Sequence, residues 1–345
     1  MTLTAGACQK DSDVIESEVA KNPVTIVACS DFQNPSGNAA SARTVRRILR
    51  SIKNAGYAEL DGFLCAGDYD YEYEETAEGI QSLIDVVQDE YGVLGENRMI
   101  FSQGNHDVAF SEGLSREGEN DTPEYGVFVI HEDEFAADGG YFGSVERIAS
   151  DLEEYLQEKV DKKYKRPIFV VSHVPLHYSM RTYRESSGLY SEYIFEVLNE
   201  YGKKGQNIIY LYGHNHNSWG YDDYLGGSSV YLTKGDTIYI SQLDKNTEVP
   251  NAKELHFTYL NAGYVGYSYS ENAGADKTLS MTVFHIDGET VTIERFGSLG
   301  SCNLKAKGVW SNYSSETAAT YGAEDGYLDK VYESPQYIKL SSEVE

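Results

Sequence analysis

At 345 residues with 41% hydrophobic content, the chain can bury a full core as one large domain or two modest ones, which excludes an intrinsically disordered protein. Its 28 Lys and Arg stand against 55 Asp and Glu, and the formal charge of -27 repels polyanions, excluding general nucleic-acid binding but not a small phosphorylated substrate. No stretch approaches the roughly 18 consecutive apolar residues needed to cross a bilayer, so no transmembrane segment is expected.

Residues 1–22 are polar and acidic without a sustained period and read as a flexible leader. Within them, MTLTAGAC followed by QKDSD resembles the end of a bacterial lipoprotein signal, with Cys8 as the lipid-anchored residue. Ala5 stands where such signals usually carry Leu, and the apolar core that should precede it is missing. This favours a secreted or cell-surface lipoprotein slightly over a cytoplasmic protein. Cys29, Cys65 and Cys302 form neither a spaced zinc pattern nor an evident disulfide framework, and the first two read as small apolar residues on buried strands.

A domain is expected over residues 23–300. VTIVAC reads as a strand, Val45, Ile48, Leu49 and Ile52 as one face of a helix, and GFLCAG as a second strand. Ile80, Leu83, Ile84 and Val87 mark a second helix before the strand RMIFSQG, and Val145, Ile148, Leu152 and Leu156 a third before PIFVVSH. The Tyr-rich segment 189–200 reads as a fourth helix leading into NIIYLYGH. HFTYLNAGYVGY, MTVFHI and VTIERF then read as consecutive strands, joined in part by an Asp287-Gly288 turn. The alternation predicts a mainly parallel sheet, and the late strands a second, mixed or antiparallel sheet packed on it: a layered α/β sandwich. Residues 108–142 and 217–236 read as long loops positioned to cover a site, and residues 301–345 as a C-terminal extension of no legible role.

The strands end in residues of one chemical kind. Asp31 and Gln33 follow VTIVAC, Gly67-Asp68 follows GFLCA, Gly104-Asn105-His106-Asp107 follows MIFSQ, His173 follows FVVS, and Gly213-His214-Asn215-His216 follows IIYLY. The carboxyl edge of an α/β sheet is where ligands bind, so these groups should converge. Carboxylate, amide oxygen and imidazole without thiolate suit Zn, Mn or Fe, and do not suit a structural zinc site.

The order Asp-x-x, Gly-Asp, Gly-Asn-His-Asp, His, Gly-His-x-His resembles the signature of the calcineurin-like metallophosphoesterases over residues 24–270. The resemblance implies a four-layer α/β/β/α sandwich of two mixed sheets flanked by helices. It also implies phosphomonoester or phosphodiester hydrolysis by a hydroxide bound to a dinuclear centre of Mn, Zn or Fe. Asp68 would bridge two metals, Asp31 and His216 would complete the first, and Asn105, His173 and His214 the second. Two close cations need such a shared anion to screen their repulsion. His106 would be the general acid, with Asp107 orienting its imidazole. Most family members carry His where this chain has Gln33, so the first site is completed by the Gln33 carbonyl oxygen, by Tyr71, which has the spacing used by purple acid phosphatases, or by water, or else is damaged.

Several residues carry two readings each. His177 contacts substrate phosphate or holds His173. Arg181 and Arg184, among Tyr178, Tyr183 and Tyr190, offer an anion fork or a solvated loop. Arg43, Arg46, Arg47, Arg50 and Lys53 read first as a solvated helix face. Trp219 lines a pocket or packs in the core, while His131, His256 and His285 read as structural. The leading function is a metal-dependent phosphoesterase acting on a small phosphorylated substrate. The alternative is a non-catalytic surface binding module with an impaired first metal site, and a protein phosphatase is a third reading.

Overall fold

The computed structural model describes residues 22–33, 40–70, 76–95, 98–107, 117–131, 142–176, 191–214, 231–240, 251–266, 279–298 and 336–339. In chain order these give β1 (Val24–Cys29), α1 (Ala40–Asn54), β2 (Gly62–Ala66), α2 (Thr76–Tyr91) and β3 (Met99–Ser102). Then come β4 (Gly118–Glu119), β5 (Gly126–Ile130), α3 (Phe142–Asp161), β6 (Ile168–Ser172), α4 (Glu192–Lys203) and β7 (Ile208–Tyr212). The late strands are β8 (Tyr231–Leu232), β9 (Thr237–Ile240), β10 (Asn251–Glu254), β11 (Thr258–Asn261), β12 (Leu279–Asp287), β13 (Thr290–Ser298) and β14 (Gln336–Lys339).

One six-stranded sheet has the order β14-β13-β12-β1-β2-β3 and the other β4-β5-β6-β7-β11-β8. β1, β2 and β3 run parallel, as do β5, β6, β7 and β11, and antiparallel strands complete both sheets. The period of two along β1 explains how the first sheet is covered on both faces. Val24, Ile26 and Ala28 join the core shared with the second sheet. Val27 and Cys29 join a separate core with Val45, Ile48, Leu49 and Ile52 of α1 and Ile80, Leu83 and Val87 of α2. Val145, Ile148, Leu152 and Leu156 of α3 and Ile194 and Leu198 of α4 cover the second sheet. Each such buried aliphatic side chain contributes about 1.5–3 kcal/mol. The result is the four-layer α/β/β/α sandwich of two mixed sheets.

The late strands differ from their sequence reading. β11 does not join β12 and β13 but lies parallel to β7 in the second sheet, whereas β12 and β13 extend the first sheet from β1. β12 and β13 form the hairpin expected at Asp287-Gly288, where Gly288 has φ +57. The interval read as a loop over 108–142 contains β4 and β5, because GVFVI is a continuous apolar run whose five residues are all buried. β8 likewise falls within 217–236, and β9 and β10 form an unanticipated two-stranded ribbon. Gln336–Lys339 of the C-terminal extension pairs with β13 as an edge strand.

The basic face of α1 is partly neutralised by α2: Arg46 pairs with Asp89 at 2.7 Å and Arg50 with Glu90 at 2.9 Å. Cys29 and Cys65 are buried neighbours in β1 and β2, with sulfurs 3.8 Å apart. No helix among the described residues is long and apolar enough to cross a membrane.

Candidate metal centre

Five chain segments meet where β1, β2, β3, β6 and β7 end. Asp31, Gln33, Asp68 and His173 are buried there, and Asn105, His106 and His214 are partly exposed. The turns that present these groups are unusual. Among the described residues five non-glycine positions have positive φ, and four of them are expected ligands: Asp31 at 52°, Gln33 at 38°, Asp68 at 60° and His214 at 68°. A left-handed backbone at a residue with a Cβ costs about 1–3 kcal/mol and persists only where surrounding contacts enforce it. Those contacts are present: Asp31 N–H donates to Gly67 O and Gln33 N–H to Asp68 O, both at 2.9 Å. Gly67 has φ +80, and a Cβ there would approach His173 Nδ1 to 2.7 Å and the Gly104 backbone to 2.8 Å, so the ligand turns pack directly against one another.

Asp68 sits at the middle of the cluster. Its Oδ1 accepts the His106 backbone N–H at 3.0 Å, and its Oδ2 lies 3.4 Å from both His173 Nε2 and Gln33 Nε2. His173 donates Nδ1–H to Ala66 O at 2.7 Å, which aims Nε2 at the cluster. There Nε2 lies 3.0 Å from Asn105 Oδ1 and 3.2 Å from His214 Nδ1, while His214 Nδ1 is itself 3.0 Å from Asn105 Oδ1. Asp31 is fixed through Oδ2, which accepts the Ser30 hydroxyl at 2.6 Å and the His214 N–H at 3.0 Å. Ligand atoms of Asp31, Asp68 and His173 all lie within 4.8 Å of one another. Carboxylate oxygens, an amide oxygen and two imidazole nitrogens directed at one another form a set of lone-pair donors, and a cation placed among them satisfies all of them at once. These residues fit a metal centre.

The electrostatics join Asp68 and His173 as an ion pair, whose proton a bound cation would displace. Burial disfavours charge on both Asp68 and His173, yet their mutual attraction prevails. It holds the Asp68 carboxyl well below the usual range and, with Asp31 and the Ala66 carbonyl, pushes His173 up to about 10. Asp107 is pushed the other way, up to about 8, by burial and the charge on Asp68. Three backbone donors oppose that shift. Asp107 Oδ2 accepts the N–H of Asp68 at 2.9 Å and of Gly104 at 2.7 Å, and Oδ1 that of Tyr69 at 2.8 Å.

Asp31, Gln33, Asp68, Asn105, His173 and His214 are thus brought together, with His106 and Asp107 beside them. Both oxygens of Asp107 accept backbone N–H groups, so it organises the Asp68 turn, a role the sequence did not suggest. His216, Tyr71, His177, Tyr178, Arg181, Tyr183, Arg184, Tyr190, Trp219 and Cys8 lie outside the described residues. His256 and His285 stand apart, the latter 3.1 Å from Thr25 Oγ1 at the opposite ends of the strands. His131, read as structural, lies at the rim, where Nδ1 accepts the Gln103 N–H at 3.0 Å. The sequence did not single out Ser30, which belongs to no motif.

The fold and this cluster define the class: an α/β/β/α sandwich with a carboxylate–imidazole centre of metal-ligand type at its strand ends. The chain belongs to the calcineurin-like phosphoesterase family, whose model matches residues 24–218. No curated relative matches it. Among solved structures, a dimetal phosphatase from Danio rerio is similar at 10% identity and TM-score 0.50, over 78% of this chain and 95% of that one. A purple acid phosphatase from yellow lupin is 13% identical with TM-score 0.44, over 80% of this chain and 52% of that one. Vacuolar Protein Sorting 29 from Cryptosporidium parvum is 12% identical with TM-score 0.34, over 80% and 91%. At 10% identity the likeness to the Danio rerio protein shows the fold and nothing of substrate.

Proposed function

We propose that the chain is a metal-dependent phosphoesterase that hydrolyses a small phosphomonoester or phosphodiester. The observation that supports it most is the convergence of Asp31, Asp68, Asn105, His173 and His214 from separate strand ends onto one lone-pair cluster. Asp68, central and anionic, would be the ligand shared between two ions; Asp31, Gln33 and His216 would hold a first ion, and Asn105, His173 and His214 a second. Bound Mn, Zn or Fe would supply Lewis-acid polarisation of a phosphoryl oxygen and acidification of a water. Asn105 contributes a neutral oxygen and so leaves net positive charge for the phosphate. His106, partly exposed and tied to Asp68 through its backbone N–H, is the residue we assign to give a proton to the leaving oxygen. The charge of -27 favours a small substrate over a polyanion.

The test is hydrolysis of generic mono- and diesters by metal-stripped protein titrated with Mn2+, Zn2+ or Fe2+, with Asp68→Ala and His106→Ala as controls. Metal-dependent turnover that falls about a hundredfold or more in both variants supports the reading. Metal binding without turnover on either ester would sink it and favour a binding module, the reading to which Gln33 in place of His points.

A further inference from the structure

Two imidazoles stand at neighbouring strand ends of the second sheet and make matching contacts across to the first. β5 and β6 pair in parallel with Ile130 opposite Ser172, so His131 follows one strand where His173 follows the next. β6 packs against β2 and β5 against β3. His173 reaches across to the end of β2, donating Nδ1–H to Ala66 O at 2.7 Å. His131 reaches across to the end of β3, where its Nδ1 receives the Gln103 N–H at 3.0 Å. The polarity is reversed. An N–H can only donate, so Nδ1 of His131 carries the lone pair, and the neutral ring is the Nε2–H tautomer.

Gln103 opens the segment that bears the chemistry. Asn105 and His106 are the next functional residues, and Asp107 closes the loop with its own N–H on Gly104 O at 3.1 Å. The Gln103 side chain adds a bond from Nε2 to Asp107 O at 3.2 Å. Asp107 anchors this loop to the Asp68 turn, and His131 anchors it to the second sheet, from which His173 projects. The loop is therefore held from both sheets. His131 is itself nearly solvent-free, at 9% exposure, so its acceptor is not in competition with bulk water.

We propose that His131 is a positioning residue of the centre: through Nδ1 it fixes the Gln103 N–H and thereby the placement of Asn105 and His106 relative to His173. The proposal rests on the metal-centre reading for its effect on metal affinity, but not for the hydrogen bond itself.

The experiment compares His131→Asn with His131→Ala. Asn places Oδ1 where His places Nδ1, so it keeps the acceptor and loses Nε2, whereas Ala loses both. Hydrogen exchange is read on peptides spanning Gln103, and affinity for Mn2+ by competition with a chromophoric chelator. In His131→Ala the Gln103 amide should exchange about tenfold faster, as for one lost hydrogen bond. Mn2+ should bind about 10- to 100-fold more weakly, as for loss of an outer support of a metal ligand. His131→Asn should stay within about threefold of wild type on both counts. Wild-type exchange and affinity in His131→Ala would overturn the proposal, as would His131→Asn behaving like His131→Ala, which would move the role to Nε2. If the wild-type chain binds none of Mn2+, Zn2+ and Fe2+, the metal-centre reading fails, and exchange at Gln103 across the three proteins still decides the role of His131.

Discussion

Asp107 accepts the backbone N–H of Asp68 at 2.9 Å, so one carboxylate fixes the peptide from which the other is presented. Two more N–H groups, of Tyr69 and Gly104, share the same acceptor, and the left-handed turn at Asp68 depends on all three. Asp107→Asn turns one acceptor oxygen into an NH2 group facing a donor. It should cost about 1–3 kcal/mol of stability in urea unfolding at pH 9, where Asp107, pushed up to about 8, is ionised. His106→Ala removes a partly exposed ring and should change stability by about 0.5 kcal/mol or less while costing at least about a hundredfold in turnover. Equal stability losses in the two variants would refute this division of labour.

The centre was legible in the sequence to the extent that its ligands sit at the ends of apolar runs. VTIVAC, GFLCA and IIYLY are buried along their whole length, so the first polar residue after each had to fall at the sheet edge. The supports were not legible, because their significance lies in a contact across the chain. Ser30 meets Gly263 only once β11 brings it alongside, and His131 meets Gln103 only once β5 packs over β3. The partner of a strand is equally unwritten in its own residues. Thr258–Asn261 looked like part of a hairpin series, yet it pairs in parallel with Ile209–Tyr212, and Gln336–Lys339 crosses a long stretch of chain to reach β13.

Gln33 lies at the third position of the first motif with its amide nitrogen 3.4 Å from Asp68 Oδ2. A neutral amide oxygen is a weaker ligand than imidazole for Zn. His tolerates the left-handed backbone that Gln33 adopts at φ 38. Gln33→His should therefore fold normally and bind Zn2+ at least about tenfold more tightly in chelator competition. A weaker or unchanged affinity would show that Gln33 does not face the first ion.

Ser30 Oγ has one proton and two acceptors within reach, Asp31 Oδ2 at 2.6 Å and Gly263 O at 2.8 Å. The charged acceptor wins the proton, which reserves Asp31 Oδ2 for Ser30 and the His214 N–H and directs ligation to the other oxygen. Ser30→Ala should weaken metal binding by about 10- to 100-fold. The unfolding midpoint should shift only by what one hydrogen bond contributes, about 1 kcal/mol. Unaltered affinity would assign Ser30 to packing alone.

His173 also sets how metal binding responds to pH. Its imidazole, buried between burial's penalty and the charge of Asp68, is pushed up to about 10, so near neutral pH it holds a proton on Nε2 that a cation must displace. The sign follows directly. Below about 10 each ion bound at this position releases close to one proton, and affinity rises about tenfold per pH unit from 7 toward 9. Calorimetry in two buffers of different ionisation enthalpy measures the protons released. His173→Asn, which keeps a possible ligand but cannot carry the proton, should abolish both the release and the pH slope. A release of zero in the wild type at pH 7 would mean either that His173 is already neutral or that it is not a ligand, and unchanged affinity in His173→Ala would then remove it from the ligand set.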